Sequence, residues 1–214
     1  MGLNTVPITM SLEEGSIPIR AVLRRLGYPP GIEAVKGGVR EILESELIKA
    51  GDLITPKCRV RFLQITGRTE RITRFELPFT VQSAKVTRLL REAAYGAFFF
   101  VTIGSRLEEE VARLTEQGEL TRGMVLDAIG SETVESYAGM VHREKIKEVA
   151  ENNGFSVTPR FSPGFGGWTL SVQRELADLC EAYKIGIQLN ASFLMSPRKS
   201  VSAVFGLVRH ETGR

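Results

Sequence analysis

The sequence predicts an α+β fold, a mostly antiparallel sheet with helices packed against it. Three observations point there. "KCRVRFLQITG" and "RITRFELP" alternate like strands and flank the turn-like "GRTE", so they read as a hairpin. "YGAFFFVTIGS" has an unbroken apolar centre, the pattern of a strand buried on both faces. Helical segments come in pairs beside the hairpin rather than one after each strand, which disfavours a doubly wound parallel sheet. No internal repeat is visible.

Each element has its own signal. "SIPIRAVLRRLGYPPG" predicts a short amphipathic helix with Ser16 as N-cap, an Ile19, Val22, Leu23, Leu26 stripe, and two prolines that end it. A second helix is predicted over roughly residues 31 to 50, with Arg40, Glu41, Glu44 and Glu46 on a solvated face. In the first hairpin strand Cys58, Val60 and Phe62 share one face; Arg59, Arg61 and Leu63 share the other. "SAKVTRLLREAA" is helical and leads into the central strand. Ser105 with Glu108 three residues on forms a capping-box pattern for the next helix, which Gly118 ends. "TRGMVLDAIGSETVESYAGMVHREKIKEVAENNG" predicts about nine helical turns. Val125, Ile129, Val134, Ala138 and Val141 lie near one face, and Gly154 is a C-cap. "FSVTPRF" is a short strand or extended lead-in. "TLSVQRELADLCEAYKIG" is a helix ended by Gly186, and "IGIQLN", "SFLM" and "SVSAVFGLVRH" are short strands. The chain divides into an N-terminal helical and hairpin part, residues 1–95, and a C-terminal part, residues 96–214, expected to form one compact unit.

Composition narrows the function classes. The 214 residues are 43% hydrophobic and 25% charged, ordinary for a soluble globular chain, with a net charge of only +3. Basic residues are interspersed with acidic ones and no nucleic-acid-binding motif accompanies them, so neither nucleic acid nor membrane is an expected partner. The two cysteines, Cys58 and Cys180, lie far apart with no metal-ligand spacing, and read as buried reduced thiols of a cytoplasmic protein. The start of the chain, with Glu13 and Glu14, does not resemble a signal peptide, and the apolar run from Ala97 to Ile103 is too short to span a bilayer.

The chemistry concentrates in "RFSPGFGGW". Arg160 offers a fork of donors that matches a carboxylate or phosphate. Pro163 and Gly164 make a turn, and glycine there lets backbone approach a ligand closely. A Pro-Gly connector with a surface arginine explains the same residues. "RFSPGF", "WTLSVQRELADL" and "LNASFLMSPRKSVSAVFG" together resemble the S-adenosylmethionine-binding activation domain of cobalamin-dependent methionine synthase, in that family's order and at compatible spacing. "DAIGSETVESYAGMVH" resembles the family's helix carrying an acidic residue and a following histidine. The resemblance runs from about Leu126 to the C-terminus and points to a short stand-alone member of the family; residues 1 to 95 match poorly.

The resemblance implies an activation-domain-like fold and a set of roles. Arg160 matches the arginine that holds the methionine carboxylate of S-adenosylmethionine. Glu135 lines the site and meets the ligand's ammonium. Ser162 makes a backbone contact to the adenosine part, within the turn of Pro163 and Gly164. Phe165 stands where the large enzymes have tyrosine. Phe205 and Gly206 match a pair on the last strand that touches the nucleoside. Trp168 is the residue expected to face the partner and its cobalamin. No general acid, base or metal ligand is expected. The implied activity is reactivation in trans: the chain would bind S-adenosylmethionine for reductive methylation of cob(II)alamin. The cobalamin would be carried by a methionine synthase lacking its own activation domain, and the electron would come from a flavodoxin-like or other low-potential donor. The alternative is a non-catalytic S-adenosylmethionine sensor, or a docking subunit of another corrinoid methyltransferase. Without the resemblance, Glu135 reads as a solvated helix face, Phe205 as core, His142 as a surface histidine, and Trp168 as packing over a helix start.

Overall fold

The computed structural model describes residues 6–8, 17–31 and 35–210. Its strands are β1 (Val6–Ile8), β2 (Lys57–Arg68), β3 (Ile72–Phe75), β4 (Thr80–Gln82), β5 (Ala93–Thr102), β6 (Phe155–Val157), β7 (Gln188–Leu189), β8 (Met195–Ser196) and β9 (Ser200–Arg209). Seven of them form one sheet in the order β4-β3-β2-β5-β9-β6, with β1 paired to β2; β7 and β8 form a separate ribbon. All pairings are antiparallel. The helices are α1 (Ile19–Arg25), α2 (Gly38–Leu53), α3 (Ala84–Leu89), α4 (Arg106–Glu116), α5 (Leu120–Met140), α6 (Lys147–Glu151) and α7 (Gln173–Leu179). The fold class is the predicted one, α+β with an antiparallel sheet. The residue 95/96 line falls inside the central strand β5.

Strand parity builds two cores. On β5, Ala97, Phe99 and Val101 face one way and Phe98 and Phe100 the other, and all five are buried. The first set packs with Cys58, Val60 and Phe62 of β2, with Ala203 and Phe205 of β9, and with α1, α2, α4 and α5. The second set packs with Phe75, Phe79, α3, Trp168 and the α7 region. An unbroken run of phenylalanines is tolerable only because apolar layers cover both sheet faces. Both cysteines are free and buried, one in each core. Burial pushes the Cys180 thiol up to about 12 and the Cys58 thiol further above its ordinary value.

Several local expectations shift where tertiary contacts outweigh local signals. The second helix starts at Gly38, after Gly37 at a φ of 64°, and runs on to Leu53. Its Glu46 is not solvated: it is fully buried and accepts from Arg122 Nε of α5 at 2.6 Å. The Ser105 capping box does not form. Ser105 has helical backbone angles and makes no cap bond, and Glu108 instead accepts the Arg198 backbone N–H at 2.7 Å. The stretch after α3 turns early, because Ala93 and Ala94 belong to β5. Gly118 and Gly154 do sit in the left-handed region after their helices. Ser16 lies outside the described residues.

Two departures bear on the site. The long helix is not uniform: α5 passes through a π-helical stretch, Val141–Ile146, before α6. Such stretches insert an extra residue per turn and re-aim side chains, and this one carries His142. The helix expected to run to Gly186 breaks after α7. Glu181 adopts a φ of 51°, the Cys180 carbonyl accepts Arg59 Nε at 2.8 Å, and the Glu181 carboxylate pairs with Arg59 Nη2. The sheet arginine thus ends the helix. The last strand is ten residues long rather than short.

Candidate ligand cleft

The glycine-rich turn is pinned to the sheet at its start. Phe161 exchanges both backbone hydrogen bonds with Val204 of β9, each 2.8 Å long. The loop then closes on itself: Gly164 N–H donates to the Trp168 carbonyl at 2.8 Å, and Trp168 N–H to that of Phe165 at 2.9 Å. Gly164 has a φ of 87°, and Gly166 and Gly167 are also left-handed. A side chain at Gly166 would put its Cβ 2.5 Å from Lys85 Cδ. The three glycines therefore fold a tight loop that ordinary residues would strain. Gly164→Val is expected to lose ligand affinity while far-ultraviolet circular dichroism keeps its helical signal. Normal ligand binding by that variant would make the turn a plain connector.

Between this turn, the start of α7, the β7–β8 ribbon, α5 and the start of β9 lies a cleft of ≈ 510 Å³. Glu135, Ser162, Pro163 and Phe165, all singled out in the sequence, line it. Arg160 stands beside it, its Nη2 donating to Glu135 Oε2 at 2.6 Å. The arginine and the acid assigned to two different groups of a ligand therefore meet each other across 25 residues of chain. Phe165 is two-thirds exposed at the mouth.

Three of the residues singled out in the sequence lie buried away from the cleft's open surface. Phe205 does not line the cleft. Its side chain is fully buried, with ring centroids 5.8 Å from Phe99 and 5.0 Å from His142. Gly206 is closed off as well. Its N–H donates to Thr158 Oγ1 at 2.8 Å, its carbonyl accepts from Thr158 N–H at 2.9 Å, and an added Cβ would lie 2.7 Å from that of Ala93. Trp168 is only 2% exposed and stacks on Phe161 at 6.3 Å between centroids. It is a wedge under the turn, so its side chain has no surface to offer a partner.

The sequence reading missed the far wall. Gln173, 3% exposed, accepts from Ser202 Oγ and donates through Nε2 to the Phe193 carbonyl, both at 2.7 Å. This ties α7, β9 and the loop before β8 into one unit. Asn190 Oδ1 accepts the backbone N–H groups of Ser192 and Leu194 at 2.9 and 3.0 Å, folding that loop as an Asx turn. The Asn in "QLNASF" was the available signal for the turn; nothing local marks Gln173.

Behind the turn, His142 is half-buried, and its Nε2–H donates to the Thr158 carbonyl at 2.9 Å. Desolvation holds its pKa below the ordinary histidine value, against the pull of that hydrogen bond, and the charges of Arg160 and Arg143 act in the same direction as burial. A neutral imidazole thus supports the wall without adding positive charge beside Arg160. Among the described residues no cluster of three or more His, Cys, Asp or Glu side chains could hold a metal ion. No helix among them is long and apolar enough to cross a membrane.

Among solved structures, the crystal structure of the MetH reactivation domain bound to AdoHcy superposes with a TM-score of 0.70. The alignment covers 99% of this chain and 80% of that one, at 16% sequence identity. This chain has the fold of the MetH reactivation domain. No family model matches the chain, and no curated protein matches it. Near-complete coverage means that residues before β5, which carried little resemblance in sequence, belong to the reactivation-domain fold too.

Proposed function

We propose that the cleft binds S-adenosylmethionine and that the chain serves in trans to reactivate a cobalamin-dependent methionine synthase lacking its own activation domain. The observation that carries this reading is the Arg160–Glu135 pair beside a cleft walled by the glycine turn, in a chain with the reactivation-domain fold. The amino-acid end of S-adenosylmethionine carries one carboxylate and one ammonium. A guanidinium and a carboxylate placed together, and both partly exposed, supply a counter-charge for each. Leu170, Leu194 and Met195 offer apolar surface for the nucleoside, and Ser162 offers a hydroxyl to its polar edges.

The corrinoid, carried by the partner, supplies a reduced cobalt nucleophile for the donor's methyl group. What this chain contributes is placement. Methyl transfer from a sulfonium to a strong nucleophile needs no proton moved by the protein, and positioning two reactants is itself worth a large part of a barrier. Phe165 and Leu194, each more than half exposed at the mouth, take the docking role first given to Trp168. The electron donor in this reading is a flavodoxin-like or other low-potential protein.

The test mixes the full chain with a cobalamin-loaded methionine synthase lacking its activation domain, a low-potential reductant and S-adenosylmethionine. The partner's visible corrinoid spectrum is expected to pass to the methylated form only when this chain is present. Tight binding of S-adenosylmethionine with an unchanged spectrum would favour the sensor reading. An absence of binding would remove both.

A further inference from the structure

A second concave site lies apart from the cleft and shares no lining residue with it. Its volume is ≈ 390 Å³, between the tip of the β2–β3 hairpin and α3. Arg68, Thr69, Glu70 and Arg71 line it from the hairpin, and Arg88 and Arg91 from the α3 side. Four arginines thus line one hollow whose lining includes one acidic residue, Glu70.

Three features make this more than scattered surface charge. Elsewhere in the molecule arginines commonly find a carboxylate: Arg25 with Glu132, Arg40 with Glu44, Arg59 with Glu181, Arg113 with Glu110, Arg122 with Glu46. In the hollow only Arg91 has an ion-pair partner among the described residues, Glu92 at 3.1 Å on an exposed surface. Arg68 is fixed in place, its Nε donating to the Leu90 carbonyl at 3.1 Å and its Nη2 to that of Ala93. Those bonds use two of its five donors and orient the rest. Thr69 Oγ1 accepts from the Arg71 and Ile72 backbone N–H groups at 3.4 and 3.1 Å, which leaves its own hydroxyl hydrogen to donate outward.

We infer that this hollow is a binding site for a small oligophosphate anion, such as the phosphate chain of a nucleoside di- or triphosphate. One planar fork satisfies a carboxylate, whereas tetrahedral phosphoryl groups accept several forks from different directions. Arginines converging from two separate elements suit the second geometry. The volume holds more than one phosphoryl group, and concavity favours a small ligand over a broad face docked on a flat surface. Glu70 is the opposing charge and weakens the site.

The experiment is calorimetric titration of the full chain with tripolyphosphate, inorganic phosphate and a short single-stranded oligonucleotide. Tripolyphosphate is expected to bind with one-to-one stoichiometry and more tightly than inorganic phosphate. The double variant Arg71→Ala/Arg88→Ala, at two exposed positions, should weaken it by at least about tenfold. Glu70→Gln should tighten it, and S-adenosylmethionine affinity should not move in either variant. Arg40→Ala, a distant arginine, should leave tripolyphosphate affinity unchanged. The inference is overturned by absent binding, by equal loss in Arg40→Ala and the double variant, or by no tightening in Glu70→Gln. It is also overturned if the oligonucleotide binds more tightly than tripolyphosphate, which would make the hollow part of a nucleic-acid surface.

Discussion

Phe205→Ala is expected to destabilise the fold by about 3–5 kcal/mol, the usual cost of removing a buried phenylalanine ring. The ring is fully buried in the core beneath α5, where it meets Phe99 from the central strand and His142 from the π-helical stretch. Its backbone is opposite Ala97 in the central β5–β9 ladder, so paired strands hold the cavity walls apart and limit collapse. Urea unfolding followed by circular dichroism measures the loss. S-adenosylmethionine affinity, measured below the unfolding transition, should be preserved, because the ring is fully buried and is not among the cleft's walls. The converse result, full stability with lost ligand affinity, would return Phe205 to the nucleoside contact that the family resemblance implied.

The burial of Phe205 was within reach of the sequence. Side chains on a strand alternate, and Phe205 shares parity with Val201, Ala203 and Leu207, an apolar set that belongs to one core. Ser202 has the opposite parity and reaches Gln173, while both Val201 and Ser202, at the start of the strand, line the cleft. Strand alternation marks the Phe205 side chain as core but does not by itself mark where along the strand the cleft lies. The central strand, the first hairpin and the glycine turn were legible because each has a strong short-range cause: unbroken apolar residues, alternation around a turn, and glycines that take positive φ. What was not legible depends on residues far away in the chain. Glu46 reads as surface until Arg122 of α5 is set against it. The α7 helix reads as continuous until Arg59 takes the Cys180 carbonyl. Gln173 looks like an ordinary helical glutamine, and only folding brings Phe193 and Ser202 to its two amide atoms.

Arg160→Ala is expected to weaken S-adenosylmethionine binding by roughly 1.5–3 kcal/mol, as when a hydrogen bond to a charged group is lost. In affinity that is about 10- to 150-fold. In the structure Arg160 is held by Glu135, whose side chain is about half exposed, at 52%, against 28% for the arginine. A pair this open to solvent adds little to folding, about 0–1 kcal/mol, so the variant should unfold close to the parent. The pair's value is geometric: Glu135 sets the guanidinium beside the cleft before the ligand arrives. Removing the acid separates two roles. If Glu135 both orients Arg160 and meets the ligand's ammonium, Glu135→Gln should weaken binding, and the double variant should lose less than the two single losses combined, because the residues act on one another. Calorimetry on the parent, both single variants and the double variant reads this cycle directly. Equal affinity in Arg160→Ala and the parent would detach the arginine from the ligand and leave the pair as a tether between α5 and the glycine turn.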